Sequence, residues 1–451
     1  MNHSDTVNSS RFEPAKQAIQ SLQKKTFPLL TGVASHNGSI SLFDQMVASA
    51  TNFFTGIIIA RSCSKEEFGL YMLGFSIILF IHELQTSLIS APYMVYSQRL
   101  SGKKQALYTG SSLVHQLQLS ILIILALFLG NLAILYGFGS SSLIPVIRAL
   151  MLFVFFIMLR EFIRRICFAG FMMRTALILD CIVAAVQLSA LLLLARLNIL
   201  SAGTAFYCVG SGCAIAAIGW LFFRRHSYLF AQNHIFADFK KNLSFGKWTF
   251  ASSLLWAVSM AVYPWLLAFF HGTAATGTWA ACWGIIAIAN PLLLGIQNFL
   301  GPKIVQSYTN HGAHGLRKFV ARITGIYLLI VIPLAIGLFF FGGQLVVLFY
   351  GEKYAGNGHI VSLLAVNLLV IAASFTLSRA LLAMEKAKVY FMANIIPLVI
   401  ILSAGVILVK YLGPLGVAWG VLLGTSTTAA LMTILFFRLI RTACAAEKNN
   451  E

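Results

Sequence analysis

The sequence predicts an all-α polytopic membrane protein, and three observations carry that prediction. Hydrophobic residues make up 59% of the 451 residues, charged residues only 10%, and the mean hydropathy is +0.85. Such values lie far from the balance of a soluble domain. Twelve apolar stretches are each long enough to cross a bilayer core, which takes about 20 residues as a helix. The basic residues also alternate between the two sides of these stretches.

The predicted spans follow one another with short connections over almost the whole chain. Their approximate limits are 40–60, 68–96, 113–137, 142–163, 175–195, 202–223, 248–270, 275–301, 319–342, 359–382, 390–409 and 413–437. With twelve crossings, both termini lie on the same side of the membrane.

The formal net charge of +19 would suggest a nucleic-acid partner in a soluble protein. Here all but six of the 32 Lys and Arg residues fall on one predicted side, at alternate loops and at the two termini. The five on the opposite side are Arg61, Lys65, Arg196, Lys353 and Lys410. The sixth, Arg148, falls inside the fourth span. The positive-inside rule therefore predicts cytoplasmic N- and C-termini, and it accounts for the charge without nucleic acid.

Several classes of chemistry lack their sequence signatures. The seven cysteines include no C-x-x-C pair, so neither a disulfide framework nor a zinc site is indicated. There is no G-x-x-x-x-G-K-[ST] phosphate loop, no H-E-x-x-H and no nucleophile elbow. We therefore predict no cofactor, no metal and no enzymatic activity, with any energy supplied by a gradient or a partner.

The polar N-terminal segment holds only a short apolar patch, Phe27 to Ala34, which is too weak for a cleavable signal peptide. The first span is predicted to act as an uncleaved anchor. Residues 11–30 are either an amphipathic helix on the membrane surface or a disordered tail.

An internal repeat predicts two lobes. The segment "IIIARSCSKEEFGLYMLG", residues 57–74, aligns with residues 265–282 at an offset of 208, so that Ala60 meets Ala268 and Gly69 meets Gly277. At an offset of 214, Arg165 meets Arg379. Six crossings per half insert both halves in the same orientation, which is a parallel repeat of the kind that transporters use to hold substrate between lobes.

The predicted segments are two six-helix lobes with a basic, polar connection between them. They are a cytoplasmic N-terminal segment 1–38, an N-lobe 39–225, an inter-lobe linker 226–246, a C-lobe 247–438 and a cytoplasmic tail 439–451.

Ionisable residues at membrane depth are costly and are candidates for function. Arg148 either snorkels to the external interface or faces a central cavity, and Arg160 is expected on the same helical stripe. In a cavity, the guanidinium of Arg148 would bind an anionic headgroup. Glu83, beside His82, is either a structural pair or a site that couples transport to protons. Asp180 either forms an ion pair with Arg174 or with neighbouring residues, or takes part in ion coupling. Asp44 either stabilises a helix N-terminus or takes part in the same ion-coupling site.

A family resemblance adds to this interpretation. "FDQMVASATNFFTGIIIARSCSKEEFGLYMLG" (43–74), "GTWAACWG", "YGEKY" (350–354), "LLAMEKAKVYFMAN" and "GPLGVAWGVLLG" occur in an order, over about 400 residues, that resembles polysaccharide flippases of the multidrug/oligosaccharidyl-lipid/polysaccharide (MOP) exporter superfamily. The resemblance implies a two-lobed bundle in a bacterial inner membrane. It would move an undecaprenyl-diphosphate-linked oligosaccharide, an O-antigen or exopolysaccharide repeat unit, between leaflets by alternating access.

The resemblance and the residues together give the candidate sites. Substrate binding at the diphosphate or cavity is predicted for Arg61, Arg148, Asn52 and Asn290, and ion coupling for Glu83, Asp180 and Asp44. The implied partners are the lipid-linked oligosaccharide, membrane lipids, and a polysaccharide polymerase and chain-length proteins.

Other functions stay open at this point. An ion-coupled multidrug or small-cation antiporter of the same superfamily would favour acidic cavity residues, which Glu83 and Asp180 supply, whereas Arg148 opposes it. A membrane-embedded glycosyltransferase or ligase would need large external loops, and the predicted external loops are short. A non-transporting assembly subunit is the remaining alternative.

Overall fold

The computed structural model describes residues 36–386 and 398–450, together with Met392 and Ile395. Within these residues the chain is helical and has no strands. Residues 11–30, for which a surface helix or a tail was predicted, and most of the segment 1–38 lie outside the described residues.

The helices of the N-terminal half are α1 to α7. Their limits are α1 His36–Ser62, α2 Lys65–Gln85, α3 Ala91–Tyr96, α4 Gly102–Leu135, α5 Ile144–Ala169, α6 Met173–Arg196 and α7 Ala202–Phe223. A π-helical turn, Thr86–Ser90, joins α2 to α3 without a break in the rod. The predicted second span, 68–96, is therefore a continuous rod with one widened turn, a feature that often accompanies functional sites.

The helices of the C-terminal half are α8 to α12. Their limits are α8 Gln232–Ala287, α9 Asn290–Tyr350, α10 Gly358–Ala383, α11 Val406–Leu412 and α12 Pro414–Asn450. Two glycines in left-handed backbone conformations reverse the chain inside the longest helices, Gly272 in α8 (φ 78°) and Gly312 in α9 (φ 61°). Both turns fall where the sequence predicts a connection between spans.

The described chain is that of a multi-pass membrane protein. Nine helical stretches within residues 36–386 and 398–450 are long and apolar enough to cross a membrane. The predicted span 275–301 differs from the structure, since the helix breaks between Ala287 and Asn290. Pro291 follows the break at the start of α9, where a residue without an N–H is tolerated. The predicted span 390–409 falls partly outside the described residues, so the count of twelve and the side of the termini stay predictions.

Packing brings distant helices together in each half. In the N-terminal half α5 packs on α7, and α6 packs on both α1 and α7, while in the C-terminal half α10 packs on α9 and α12. The most extensive contact between the halves joins α2 to α8. The segment predicted as a cytoplasmic linker, 226–246, is largely helical, because α8 already begins at Gln232.

Candidate functional site

A cavity with polar and charged residues on part of its wall lies inside the N-terminal half. Its volume is about 290 Å³, and helices α1, α2, α5, α6 and α7 line it. Most of its wall is apolar, from residues such as Ile78, Val154 and Phe206. Its polar lining groups converge from four helices: Gln45, Ser49 and Asn52 of α1, His82 and Gln85 of α2, Arg160, Glu161 and Arg164 of α5, and Asp180 and Gln187 of α6.

Five charged residues, of which all but Asp44 line the cavity, form one network that we name the charge cluster: Asp44, Arg160, Glu161, Arg164 and Asp180. Arg160 binds Asp180 at 2.5 Å and Glu161 at 2.8 Å. Arg164 binds Asp44 at 2.7 Å, and its Nε lies 3.0 Å from the second Asp180 oxygen. The Arg164 guanidinium is therefore shared by two carboxylates from two other helices.

The charge cluster is withdrawn from solvent. The Asp44 and Asp180 side chains are 1% exposed, and those of Arg160 and Arg164 are 16% and 10% exposed. Removing such charges from water is expensive and is offset only by close pairing. Removing either partner would leave an uncompensated charge in an apolar wall.

The pairing leaves hydrogen-bonding capacity unused. Asp44 Oδ1 and Arg160 Nε have no hydrogen-bond partner within the described residues, and Arg164 Nε and Asp180 Oδ2, although 3.0 Å apart, are not aligned for a hydrogen bond. With these groups ionised, three carboxylates face the guanidinium groups of Arg160 and Arg164 and, 3.9 Å from Glu161, that of Arg165, so the charges balance. A bound anion or a captured proton would change this balance directly, because both act on the same guanidinium groups.

Neutral amides hold the walls around the charge cluster in place. Gln85 donates to the Met158 carbonyl at 2.6 Å and to Gln116 at 2.9 Å, which ties α2 to α5 and α4. Gln187 donates to the Thr55 hydroxyl at 2.7 Å and ties α6 to α1. Buried polar groups with satisfied partners fix helix positions.

Helical periodicity explains which side of α5 faces the cavity. Val154, Ile157, Glu161 and Arg164 are spaced by three or four residues and lie on one face, with Arg160 at its edge. Arg148 is exposed on the opposite side of α5. The sequence-based expectation that Arg148 and Arg160 share a stripe is not met, because twelve residues turn a helix by about 120° beyond whole turns.

The structure brings three of the seven predicted site residues together. Asp44 and Asp180 belong to the charge cluster, and Asn52 lines the same cavity. Asn290 is exposed at the start of α9. Sequence reasoning did not single out Glu161 or Arg164, although their spacing from Arg160 on one helix is the signal that would have found them.

Glu83 lies about one turn of α2 beyond the residues that line a second, apolar cavity. Its position, three residues after Phe80 and seven after Ser76, places it on the α2 stripe that lines a space of about 600 Å³ against α8. Trp265 of α8 spans this space and donates to the Ser76 hydroxyl at 2.9 Å. Glu83 is partly exposed and forms no ion pair with the residues that the structure describes.

The turn between α1 and α2 joins the two halves at one end of the bundle. Arg61, at the end of α1, donates through Nε to the Phe349 carbonyl at 2.8 Å and also to the Leu348 carbonyl. In return, Lys353 donates to the Cys63 carbonyl. Cations stabilise the exposed carbonyls at a helix C-terminus, so each half supplies a cation to the helix end of the other.

Other groups in the same turn complete this closure. Ser64 accepts from the Glu67 N–H and caps α2, and Glu67 accepts from the Ala202 N–H at the start of α7 at 2.6 Å. Burial raises the pKa of Cys63, which lies between the spans, to about 11. The charged stretch 61–67 is therefore a packed joint between helix ends.

Comparisons with known proteins agree with this arrangement. A family model described as "Polysaccharide biosynthesis protein" matches residues 35–308. No curated protein matches. The fold is similar to the inward-facing conformation of a multidrug resistance MATE family transporter of the MOP superfamily, with a TM-score of 0.74, 16% identity, and coverage of 88% of this chain and 96% of that one.

Two further solved structures have the same fold. One is an outward-facing MATE family transporter of the MOP superfamily, with a TM-score of 0.60, 17% identity, and coverage of 90% and 95% of the two chains. The other is a MOP superfamily transporter from Pyrococcus furiosus, described as having a binding pocket of reversed polarity, with a TM-score of 0.64, 14% identity, and coverage of 90% and 94%. The family match spans more than half of the chain, and the described fold is that of these transporters. The chain belongs to the polysaccharide biosynthesis protein family and has the membrane-transporter fold of the MOP superfamily.

Proposed function

We propose that the protein is a flippase that moves undecaprenyl-diphosphate-linked oligosaccharide repeat units across a bacterial inner membrane, for O-antigen or exopolysaccharide synthesis. The observation that carries this proposal is the pair of guanidinium groups, Arg160 and Arg164, on the wall of the cavity in a chain of this family. A planar guanidinium binds phosphate oxygens through two parallel N–H donors, which suits a diphosphate.

The size of the cavity supports binding of a headgroup. Its volume of about 290 Å³ is at the lower limit of the roughly 300–1,000 Å³ that hold drug-sized ligands. It suits a diphosphate better than a whole oligosaccharide. In this proposal the sugars occupy the space between the two halves, and the prenyl chain stays in lipid.

The carboxylates supply a means of release. Asp44 and Asp180 compete with the substrate for Arg164, so a tightly bound diphosphate is not expected. Transport needs such moderate affinity, because a site must also let its substrate go. Protonation of Asp44 or Asp180 would free the guanidinium for phosphate, and loss of the proton would expel it. Glu83, about one turn of α2 beyond the second cavity, is proposed as a further proton site.

Alternating access follows from the two halves acting as lobes. On the predicted topology, the end closed by Arg61 and Lys353 is periplasmic, so the cavity is loaded from the cytoplasm and opens when this closure breaks. Arg61, Arg148 and Asn290 remain proposed contacts for the substrate on its path. The polymerase and chain-length proteins that would receive the repeat unit are proposed partners.

The competing proposal is an ion-coupled antiporter of multidrug or small-cation substrates. It is favoured by the two buried carboxylates Asp44 and Asp180, each 1% exposed, which would attract a cation once their guanidinium partners moved away. The two proposals assign different roles to Arg160 and Arg164. In the flippase they bind the diphosphate of the substrate, whereas in an antiporter they would only pair with the carboxylates and would not contact the cation.

The test is accumulation of lipid-linked repeat units in a strain that lacks the gene, complemented with wild type, Arg164→Lys, Arg160→Lys, Arg148→Gln or Glu83→Gln. The flippase proposal expects accumulation on the cytoplasmic leaflet, rescued by wild type and not by the cluster variants at equal membrane abundance. Arg148→Gln tests the proposed contact on the opposite face of α5, and Arg196→Gln, at the exposed end of α6, is the control that should restore export. Normal surface polysaccharide with raised drug sensitivity would instead establish the antiporter.

A further inference from the structure

The segment after α7 folds back on the end of that helix. The Tyr228 hydroxyl donates to the Leu221 carbonyl at 3.1 Å, and its ring stacks on Trp220 with 6.2 Å between centroids. Phe230 contacts Tyr228 at 5.6 Å. Residues 228–230 are thereby held at the depth of the last turn of a membrane-spanning helix, rather than projecting away from the membrane.

The following residues 232–244, here called the linker helix, are fixed to α4 at a similar depth. The Ile235 carbonyl binds His115 at 2.9 Å, and Phe239 contacts the same imidazole at 5.4 Å. Asn242 accepts from the Tyr108 hydroxyl at 2.7 Å. His115 belongs to the spanning helix α4, close to the start of its apolar stretch, so the linker helix lies at the boundary between water and hydrocarbon.

A neighbouring face of the linker helix, about 100° around from Ile235 and Asn242, is apolar and exposed. Phe236 is 76% exposed and Leu243 45%, and Phe239, at the edge beside His115, is 44% exposed. Their spacing of three and four residues puts them on one stripe, with the exposed Lys240 beside them. Asp238 points to the other side, where it faces His115 and Tyr108.

The segment that leads into the linker helix is also aromatic, basic and exposed. Phe222, Phe223 and Phe230 are 66%, 81% and 61% exposed, and Arg224 and Arg225 between them are also exposed. Apolar rings beside basic side chains at the depth of a span end are the composition of helices that lie in a membrane interface. Aromatic rings enter the acyl boundary there, while Lys and Arg extend to the headgroups.

We propose that the linker helix is an interfacial membrane anchor: the stripe Phe236, Phe239 and Leu243 inserts into the adjacent leaflet, and Lys240, Arg224 and Arg225 bind anionic phospholipid headgroups. On the predicted topology this is the cytoplasmic leaflet, whose anionic lipids attract basic segments. Anionic phospholipid is the expected partner because its negative headgroup is complementary to these basic side chains, and because the contacts to α4 fix the helix at the depth of the headgroups. The anchor is independent of the transported substrate.

The first test measures insertion. Cys181 and Cys444, the two native thiols that are not buried, are replaced by serine. A single cysteine at Phe236 or at Ala237 is then labelled with an environment-sensitive fluorophore in lipid nanodiscs. Position 237 is about 100° around the same helix and is exposed, so it is the matched control. Insertion predicts that the label at 236 is quenched by spin-labelled lipid and protected from iodide, with the reverse at 237. Equal iodide quenching at both positions would overturn the proposal.

The second test measures lipid selectivity. Native mass spectrometry after exchange into mixed phosphatidylglycerol and phosphatidylcholine nanodiscs should find phosphatidylglycerol retained on the wild type. The triple variant Arg224→Gln, Arg225→Gln, Lys240→Gln should retain it several-fold less, whereas Lys410→Gln, an exposed base at a distant helix end, should not change it. Unchanged retention in the triple variant would exclude a headgroup site at the linker helix.

Discussion

Gly69 of α2 and Gly277 of α8 occupy equivalent positions in one helix crossing. A Cβ atom at Gly69 would lie 1.8 Å from the Thr273 carbonyl oxygen, and one at Gly277 would lie 2.2 Å from the Lys65 carbonyl oxygen. The same two glycines correspond in the internal repeat at an offset of 208. The halves therefore meet through backbone contact at residues that the repeat makes equivalent, and small residues permit this approach.

Gly69→Ala is expected to open the end of the bundle that Arg61 closes. The added methyl has no space, and overpacking costs roughly 1–3 kcal/mol, so the ratio of closed to open molecules should fall by about tenfold. Spin labels at Ser62 and Glu352, both exposed, would report the opening as a longer distance. Gly130→Ala is the control, because a Cβ there meets nothing within 4 Å. An unchanged distance distribution in Gly69→Ala would contradict the role of this crossing.

Arg61→Gln should weaken the same closure by a different route. It removes two charge-assisted bonds to the Phe349 and Leu348 carbonyls. Hydrogen bonds that involve a charged group contribute about 1.5–3 kcal/mol, and because these two are exposed, the lower limit applies and the ratio of closed to open molecules should fall by roughly tenfold. The spin-label pair at 62 and 352 measures this change. Arg196→Gln, at an exposed helix end elsewhere on the same predicted side, should leave the distance as it is.

Asp44 and Arg164 should behave as one thermodynamic unit. Loss of one member of a buried ion pair typically costs about 3–5 kcal/mol of folding free energy. Asp44→Asn and Arg164→Gln should therefore each clearly lower the midpoint temperature of thermal unfolding in detergent. The double variant should lose less than the sum of the two, because it leaves no unpaired charge. Arg165→Gln is the control, since its guanidinium reaches Glu161 only at 3.9 Å and is 31% exposed. Strict additivity would show that the pair is not coupled.

Cys63 should react slowly with maleimides while the protein is folded. Its pKa of about 11, raised from 9.0 by burial, lowers the thiolate fraction near neutral pH by a factor of roughly 100. Because the pKa is raised by folding, the thiol contributes stability below pH ~9 that is lost as the pH rises towards 11. Stopped-flow labelling with and without denaturant measures the first effect, and denaturation midpoints at a series of pH values measure the second. A folded-state rate within tenfold of the denatured rate would contradict the burial of this thiol.

Much of the fold follows from composition alone. Runs of apolar residues predict a multi-pass helical membrane protein, and the glycines at 272 and 312 fall where connections were predicted. The break before Pro291 was not predicted, because the apolar run continues across it and hydropathy does not detect a turn inside the membrane.

Only part of the candidate site could be predicted from the sequence. Asp44 and Asp180 stand out because carboxylates are rare in apolar helices. Arg164 does not, because it lies at the predicted end of a span, where basic residues are expected from topology. Its pairing with Asp44 joins residues 120 positions apart, and no local pattern encodes that distance.

The contacts of the linker helix also bear on the order in which the protein is assembled during synthesis. Ile235, Lys241 and Asn242 contact Tyr96, Tyr108 and His115, all of which leave the ribosome earlier. The N-terminal half and its linker can therefore fold before the C-terminal half is inserted. The bonds from Arg61 to residues 348 and 349 must wait until most of the chain has been translated. A chain truncated near residue 250 and released from the ribosome should already protect Asn242 from proteolysis.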